Sequence, residues 1–325
     1  MARILITGGA GFIGSHLADL HLAQGDHVEV VDDLSTGQRS NIAHNLNDVR
    51  YNFHCAPLMT WDGLDNAVKN AERIYHLAAI VGVKRVLENP VEVIETNQNA
   101  LERILKSMVA CKSKATILMA SSSEVYGFSE APAFKEDGML VLPSKDPLRW
   151  CYAVTKLADE MLGFANHHQY GVKTVMARLF NTIGPRQCSH YGMVLPHFIE
   201  QAMNGETVTV YGEGNQSRSF CDVRDTVEIL SRLAGSEEAY GKAVNAGNDR
   251  EISIHALAEK VIALTGSHSR IKHIPYLEAY GMDFEDIQHR RPDLKLMVKL
   301  TGYTPRFTLD ETIERIAGLH KRQAG

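Results

Sequence analysis

The residues best suited to chemistry in this chain are a tyrosine and a lysine four positions apart, Tyr152 and Lys156, with Ser122 upstream of them. An apolar-periodic stretch follows Tyr152, which predicts a helix with both side chains on one face. A phenol is a poor base at neutral pH, and a neighbouring ammonium group lowers its pKa by favouring the phenolate. If Ser122 holds the reacting oxygen, this set suits removal of a proton from an alcohol while hydride leaves the same carbon. The spacing alone is common among surface residues, so this interpretation requires a hydride acceptor.

A glycine-rich turn near the start of the chain provides a site for such an acceptor. An apolar run, Arg3–Thr7, predicts a strand, and an amphipathic stretch after the glycines predicts a helix. Glycines at this spacing let the backbone approach a pyrophosphate, and the first amides of the helix face its charge. The residues predicted to bind the cofactor here are Gly8, Gly11, Phe12, Ile13 and Gly14. The alternative is a glycine turn that only packs a helix on a strand.

Two aspartates end the next predicted strand, His27–Val31. Asp32 and Asp33 follow the glycines by about twenty residues, which is the spacing of a ribose-binding carboxylate. Such a carboxylate accepts hydrogen bonds from both ribose hydroxyls and repels a 2′-phosphate, which favours NAD over NADP. Asn97, early in a predicted helix, is a further candidate for cofactor contact, although a solvated asparagine is equally plausible there.

Apolar runs and helical patterns alternate along the first half of the chain, for example at Arg73–Leu77, Val91–Ala110, Ala115–Ala120 and Thr174–Phe180. This alternation predicts an α/β Rossmann fold with a doubly wound parallel sheet. We predict an NAD-binding domain at residues 1–180, with part of 218–250 returning to it, and a smaller substrate-binding lobe at 181–325. Arginines and aromatic side chains in this lobe suit a diphosphate and a stacked base, although each arginine alone is typical of a surface.

Composition limits the partners. The net charge is −5 without a basic block, so nucleic acid and anionic membranes are not expected as partners. No apolar run is long enough to span a membrane and no signal segment is evident, so we expect a cytoplasmic protein. The five cysteines and fifteen histidines show no metal-ligand spacing, and no metal site is predicted.

Seven motifs occur in order along the chain. They read TGGAGFIGSHL, VVDD, YHLAA, SSSEVYG, YAVTK, RLFNTIGPR and SRSF. With these motifs the chain resembles, over nearly its full length, the extended short-chain dehydrogenase/reductases that act on nucleotide-diphosphate sugars. The resemblance implies an NAD-dependent epimerase, dehydratase or decarboxylase that forms a homodimer through a helix bundle containing the YxxxK helix.

The resemblance also implies residue roles. The catalytic triad would be Ser122, Tyr152 and Lys156, the last two also contacting NAD, and Asp32 with the glycines would hold the dinucleotide. The residues predicted to bind a UDP-sugar are Ser122, Ser123, Asn181, Arg186, Tyr211, Arg218 and Arg290, with Tyr211 near the base. One departure is His54-Cys55-Ala56-Pro57, where the family often has an aspartate for the adenine amino group, so the adenine contacts stay open.

The residues after Ser122 bear on the reaction. Sugar 4,6-dehydratases carry Asp-Glu at this point, whereas this chain has Ser123 and Glu124, which disfavours dehydration. The SSSEVYG motif, Arg149-Trp150 and the segment from Tyr280 to Asp293 are similar to UDP-glucuronate decarboxylases and UDP-apiose/xylose synthases. The resemblance therefore favours a UDP-glucuronate decarboxylase, in which Arg290 anchors the uronate and Glu124 supplies or relays a proton to C5. The alternatives are a UDP-sugar 4-epimerase, a non-catalytic nucleotide-sugar sensor, and a Glu124 that only caps its loop.

Overall fold

The structure is a computed structural model that describes residues 1–129, 131–143, 147–188, 193–280 and 287–324. Two parts of the segments that carry the resemblance, residues 281–286 and the side chain of Arg149, lie outside this description. All the predicted site residues lie within it.

Strands and helices alternate along the first half of the chain, as the sequence predicts. The strands are β1 (Arg3–Thr7), β2 (His27–Asp32), β3 (Tyr51–Cys55), β4 (Arg73–His76), β5 (Thr116–Ser122), β6 (Lys173–Leu179), β7 (Thr182–Ile183), β8 (Val208–Tyr211), β9 (Ser217–Ser219), β10 (Cys221–Asp222), β11 (Lys242–Ala246), β12 (Glu251–Ser253), β13 (Ile271–Ile274) and β14 (His289–Arg290). The α-helices are α1 (Phe12–Ala23), α2 (Leu64–Asn70), α3 (Val83–Glu88), α4 (Pro90–Ala110), α5 (Cys151–Tyr170), α6 (Val194–Met203), α7 (Val223–Ala234), α8 (Ile254–Thr265), α9 (Tyr276–Tyr280), α10 (Lys295–Thr301) and α11 (Leu309–Ala324).

The central sheet has seven strands in the order β11-β6-β5-β4-β1-β2-β3, and every neighbouring pair in it is parallel. The strand order reverses between β1 and β4, which is where doubly wound sheets bind ligands, outside the carboxyl ends of the strands. The predicted Rossmann fold is confirmed.

The sheet is buried on both faces because its strands are apolar on both sides. Ile4 and Ile6 of β1 belong to the same buried cluster as Leu17 of α1. Leu5, the residue between them, belongs to the opposite cluster with Leu101 of α4. Side chains alternate across a strand, so a continuous apolar run buries both of its faces, as is typical of parallel sheets covered by helices.

The second half of the chain forms small sheets and helices at the carboxyl edge of the large sheet. A separate apolar cluster there includes Ile183, Phe198, Leu257 and Ile313. The chain also returns to the large sheet, because β11 pairs with β6 after α7. The division into domains stays a prediction. Within the described ranges, no helix combines the length and the apolar composition needed to cross a membrane.

Gly8 directly follows β1 and lies against the loop after β4. A substitution at Gly8 therefore tests how closely the glycine turn packs on that loop. Its φ is +74°, and a Cβ on it would lie 2.7 Å from the backbone nitrogen of Ala78. We expect Gly8→Ala to lower the free energy of unfolding by about 2–4 kcal/mol, because backbone strain and steric overlap add. Denaturant unfolding followed by circular dichroism measures this.

The matched control is Gly171→Ala at the end of α5. Gly171 has a similar φ of +69°, but its Cβ would meet nothing within 4 Å. That variant should lose about 1 kcal/mol, since only the left-handed backbone is penalised. Equal losses for the two variants would contradict the close approach at Gly8.

Candidate active site

The glycine turn has the shape that a dinucleotide pyrophosphate requires. Gly11 is the N-cap of α1, so the N–H groups of Phe12 and Ile13 in its first turn have no partner within the helix. A Cβ on Gly14 would overlap the carbonyl oxygen of Gly8, so glycine there lets the helix pack closely on the turn. The residues present therefore fit NAD at this site.

Asp32 ties the end of β2 to the glycine turn. Its carboxylate accepts hydrogen bonds from the backbone N–H groups of Ala10, at 2.9 Å, and Leu34, at 2.8 Å. Burial raises the pKa of Asp32 and these hydrogen bonds oppose the rise. The exposed Asp33 accepts a hydrogen bond from the N–H of Ser35 at 2.9 Å. Ribose contact by either aspartate stays a prediction.

The segment after β3 has no carboxylate where the family often has one. His54 is hydrogen-bonded to Glu29 at 3.0 Å, and its ring lies 4.7 Å from the ring of Trp61. Cys55 is exposed and pairs in register with Asp32, at the edge where an adenosine would lie. Within the described segment, the adenine amino group would therefore have to rely on other groups.

Tyr152 and Lys156 lie in the first two turns of α5, and the lysine ammonium is 6.0 Å from the centre of the tyrosine ring. Burial raises the pKa of the Tyr152 phenol, while the Lys156 charge and a hydrogen bond with Ser122 act to lower it. The Lys156 charge thus acts on the pKa of Tyr152 in the predicted direction, against the larger effect of burial. Ser122 ends β5, and its Oγ also accepts a hydrogen bond from the N–H of Glu124 at 3.2 Å.

Asp159 is a residue near this site that the sequence analysis missed. Its carboxylate lies 3.2 Å from the Lys156 ammonium, and both side chains are buried. The only signal in the sequence is the i,i+3 spacing, which places the two on one helix face.

Asn97 is buried in α4 and holds a neighbouring loop. Its Oδ1 accepts a hydrogen bond from the N–H of Ile80 at 2.8 Å, and its Nδ2 donates to the Ile80 carbonyl at 3.3 Å. Nδ2 also lies 3.4 Å from the Thr155 hydroxyl. The structure thus shows a side chain that positions α5 and the loop after β4, rather than a solvated one. Direct contact with the cofactor stays a prediction.

Glu124 and Arg290 meet across the cleft, although they are far apart in the sequence. The Arg290 Nη2 forms an ion pair with the Glu124 Oε1, and the exposed fractions of the two side chains are 11% and 12%. The Nη1 lies 3.5 Å from the Ser123 hydroxyl. The Gly127 N–H donates a hydrogen bond to the Glu124 backbone carbonyl, while the Glu124 carboxylate faces Arg290. The three residues that distinguish the predicted reaction therefore form one cluster.

Arg218 and Asn181 are held near this cluster by the backbone. Arg218 lies beside Arg290 in the β9–β14 pair, and its Nη1 donates to the carbonyls of Ser217 and Ile287, both at 2.7 Å. The Asn181 amide donates to the carbonyl of Ser219, the neighbour of Arg218, at 3.0 Å. These contacts fix both residues at one edge of the lobe. Their binding of a diphosphate stays a prediction.

Arg186 and Tyr211 differ in placement. The Arg186 guanidinium forms an ion pair with Asp19 of α1 at 2.8 Å, so the structure does not place it with Arg290. Its φ of +68° is unusual for a residue with a side chain. Tyr211 ends β8, half-buried, in the smaller lobe. For both residues the substrate role stays a prediction.

No group of three or more His, Cys, Asp or Glu side chains among the described residues is arranged to hold a metal ion.

Comparison with known proteins agrees with this arrangement. A sequence profile of the NAD dependent epimerase/dehydratase family matches residues 4–247. The UDP-N-acetyl-alpha-D-glucosaminuronate decarboxylase of Bacillus cytotoxicus is 37% identical over 319 residues, covering 96% of this chain and 97% of that protein. UDP-glucuronic acid decarboxylase 1 of Danio rerio is 36% identical over 321 residues, covering 99% of this chain and 73% of the fish protein.

Solved structures show the same fold. The UDP-N-acetylglucosamine 4-epimerase of Methanobrevibacter ruminantium superposes with a TM-score of 0.89 at 28% identity, covering 99% of both chains. A UDP-glucuronic acid 4-epimerase of Bacillus cereus, solved with UDP-glucuronic acid and NAD, gives 0.88 at 24% identity over 99% of both chains. The chain, with its glycine turn, YxxxK helix and matching profile, belongs to the NAD-dependent epimerase/dehydratase family.

Proposed function

We propose that this protein is an NAD-dependent decarboxylase of a UDP-uronate, with UDP-glucuronate as the best candidate. The observation that carries the proposal is the cluster of Glu124, Arg290 and Ser123 beside the end of β5. Decarboxylases of UDP-glucuronic acid and of its N-acetylated relative are among the proteins that this chain resembles along most of its length.

The first step is oxidation of the sugar at C4. Bound NAD supplies the chemistry of accepting a hydride from C4 and returning it later. Tyr152 takes the proton of the C4 hydroxyl, and Ser122 holds the C4 oxygen. The buried Lys156 ammonium stabilises the phenolate that this transfer requires. In the last step Tyr152 gives its proton back as C4 is reduced.

The second step is loss of CO2. With a ketone at C4, the C5 carboxylate belongs to a β-keto acid, so the C5–C6 bond breaks and its electrons move into the carbonyl as an enolate. Arg290 is suited to hold the carboxylate because its buried Nε–H has no hydrogen-bond partner in the described part of the chain. A carboxylate bound there would compete with Glu124 for the guanidinium, which frees Glu124 to deliver or relay a proton to C5.

A UDP-sugar 4-epimerase is the second candidate, and the likeness to the Methanobrevibacter ruminantium enzyme supports it. Such an enzyme only has to turn the 4-keto sugar over and return the hydride. A 4-epimerase of UDP-glucose needs no arginine for a C5 carboxylate, so the Glu124–Arg290 pair favours a uronate substrate. The decarboxylase relatives then favour decarboxylation of that uronate over its epimerisation.

Product mass distinguishes these reactions. We expect incubation of the protein with UDP-glucuronate and NAD to yield a UDP-pentose and one equivalent of CO2, and UDP-glucose to remain unchanged. UDP-N-acetylglucosaminuronate is tested in parallel, since one decarboxylase among the relatives is named for it. Tyr152→Phe, which lacks the base, is the inactive control. An isobaric product from UDP-glucuronate would refute decarboxylation and support the epimerase.

Glu124→Gln separates the two steps. We expect C4 oxidation, monitored by reduced-cofactor absorbance in a single turnover, to persist, while UDP-pentose formation falls by about 10²–10⁴-fold because the enolate left by CO2 loss is no longer protonated at C5. The matched control is Glu206→Gln, an exposed carboxylate in the smaller lobe, which should leave both steps unchanged. Unimpaired UDP-pentose formation in the Glu124 variant would remove this residue from the mechanism.

We further propose that the protein is a homodimer that associates through α4 and α5. These two helices pack side by side, and each exposes apolar side chains. Val154 and Met161, two turns apart on α5, are 48% and 50% exposed, and Ile94 of α4 is 40% exposed. We also propose a cytoplasmic location, which the free thiols of Cys55, Cys111 and Cys221 support.

Met161→Glu is expected to shift the protein from dimer to monomer, because a charge would be buried in the interface. Sedimentation velocity at micromolar concentration measures the change. Val49→Glu is the control: Val49 is 98% exposed and lies outside both helices, so that variant should sediment like the wild type. A dimeric Met161→Glu protein would contradict this interface.

A further inference from the structure

The buried ion pair of Lys156 and Asp159 has no role in the steps described so far. The ammonium and the carboxylate are 3.2 Å apart, and the exposed fractions of their side chains are 3% and 4%. An ion pair this far from water is weakly screened, so it acts strongly on nearby charges. Its closest functional neighbour is the Tyr152 phenol, one turn away on α5.

Asp159 is held in place from a second helix. Gln98 of α4 donates a hydrogen bond from its Nε2 to the Asp159 Oδ1 at 3.0 Å, and the same nitrogen lies 2.8 Å from the Thr155 carbonyl. The Asp159 Oδ2 is thereby directed at Lys156. Residues of both α4 and α5 therefore hold the Asp159 carboxylate in place, whereas a chance i,i+3 contact would involve α5 alone.

The other charged groups around Lys156 cannot replace Asp159. Glu160 is also buried, but the Arg178 guanidinium takes its carboxylate at 2.9 and 2.8 Å. His76, at the end of β4, stays neutral because burial and the Lys156 charge lower its pKa to about 3. The charged groups around Tyr152 are Lys156, Asp159 and Glu124. The lysine lowers the pKa of the Tyr152 phenol, and the two carboxylates raise it.

We propose that Asp159 is a positioning residue for the reaction: it holds the Lys156 ammonium at the site and limits how strongly that charge favours the Tyr152 phenolate. The carboxylate also offsets part of the cost of burying the ammonium group, together with the nearby buried Glu160. It also keeps Tyr152 a phenol over more of the neutral range, which suits a group that must return its proton to the C4 oxygen at the end of each turnover. The inference rests on the proposed function for that last consequence.

Asp159→Asn tests the proposal, because asparagine keeps the size of the side chain and one acceptor oxygen but removes the negative charge. Without the negative charge, Lys156 acts on Tyr152 unopposed. We expect the acid limb of the kcat/KM profile for UDP-glucuronate to move to lower pH by about 1 unit. Asp159→Glu is the matched control, since it keeps the charge and should leave the limb in place. A limb that stays in place in Asp159→Asn, or that moves to higher pH because Lys156 has lost its proton, would overturn the proposal.

Direct titration of Tyr152 gives a second measurement that needs no turnover. Phenolate absorbance is followed against pH for the wild type and Asp159→Asn, and each is corrected by its Tyr152→Phe counterpart. The Asp159→Asn phenolate should appear about 1 unit lower in pH than in the wild type. A shift in this titration without any UDP-pentose formation would refute the proposed function and support this inference. Pentose formation without the shift would do the reverse.

Asp159→Asn leaves a buried lysine without its partner, which can prevent folding. Gln98→Lys is the second variant in that event: it gives Asp159 another cation to pair with and leaves the carboxylate in place. Its phenolate should also appear at lower pH, with sedimentation checking that the oligomeric state is unchanged. An unmoved titration in this variant would count against the proposal.

Discussion

The site depends on three parallel strands, β1, β4 and β5, that end at one edge of the sheet. Thr7 of β1 lies opposite His76 of β4, and His76 lies opposite Met119 of β5. The Thr7 hydroxyl and the His76 ring are 2.8 Å apart, so two of these strand ends are joined by a buried hydrogen bond. This alignment brings the glycine turn, the loop held by Asn97 and the serines after Met119 to the same crevice, where the strand order reverses.

The second half of the chain reaches that crevice with β14, which pairs with β9. Arg290 in β14 is joined to Glu124 from the sheet, and the contact crosses the cleft between the two parts of the chain. A nearly buried arginine needs a partner, because an unpaired charge away from water is costly. Glu124 supplies that partner. In the proposed reaction a uronate carboxylate would take over this role, so the same arginine serves both stability and recognition.

Much of this architecture could be predicted from the sequence, because strands buried on both faces leave continuous apolar runs and glycine turns leave fixed spacings. The contact of Glu124 with Arg290 could not be derived from local pattern, since 166 positions separate the two; the resemblance implied only that both act near the sugar carboxylate. The position of Arg186 could not be predicted from composition, because its guanidinium forms an ion pair with Asp19 of α1. The burial that raises the pKa of Tyr152 could not be predicted from the spacing, because it depends on tertiary packing.

The pairing of β14 with β9 sets Arg290 directly beside Arg218. Neighbouring strands lie about 4.8 Å apart, so the two guanidinium groups start from backbones at a fixed separation. If Arg218 holds the diphosphate and Arg290 the sugar carboxylate, the β9–β14 pair fixes the distance between the two anionic groups of a substrate that the site can bind. A sugar nucleotide with the same diphosphate but its carboxylate at another carbon would contact Arg218 and not Arg290.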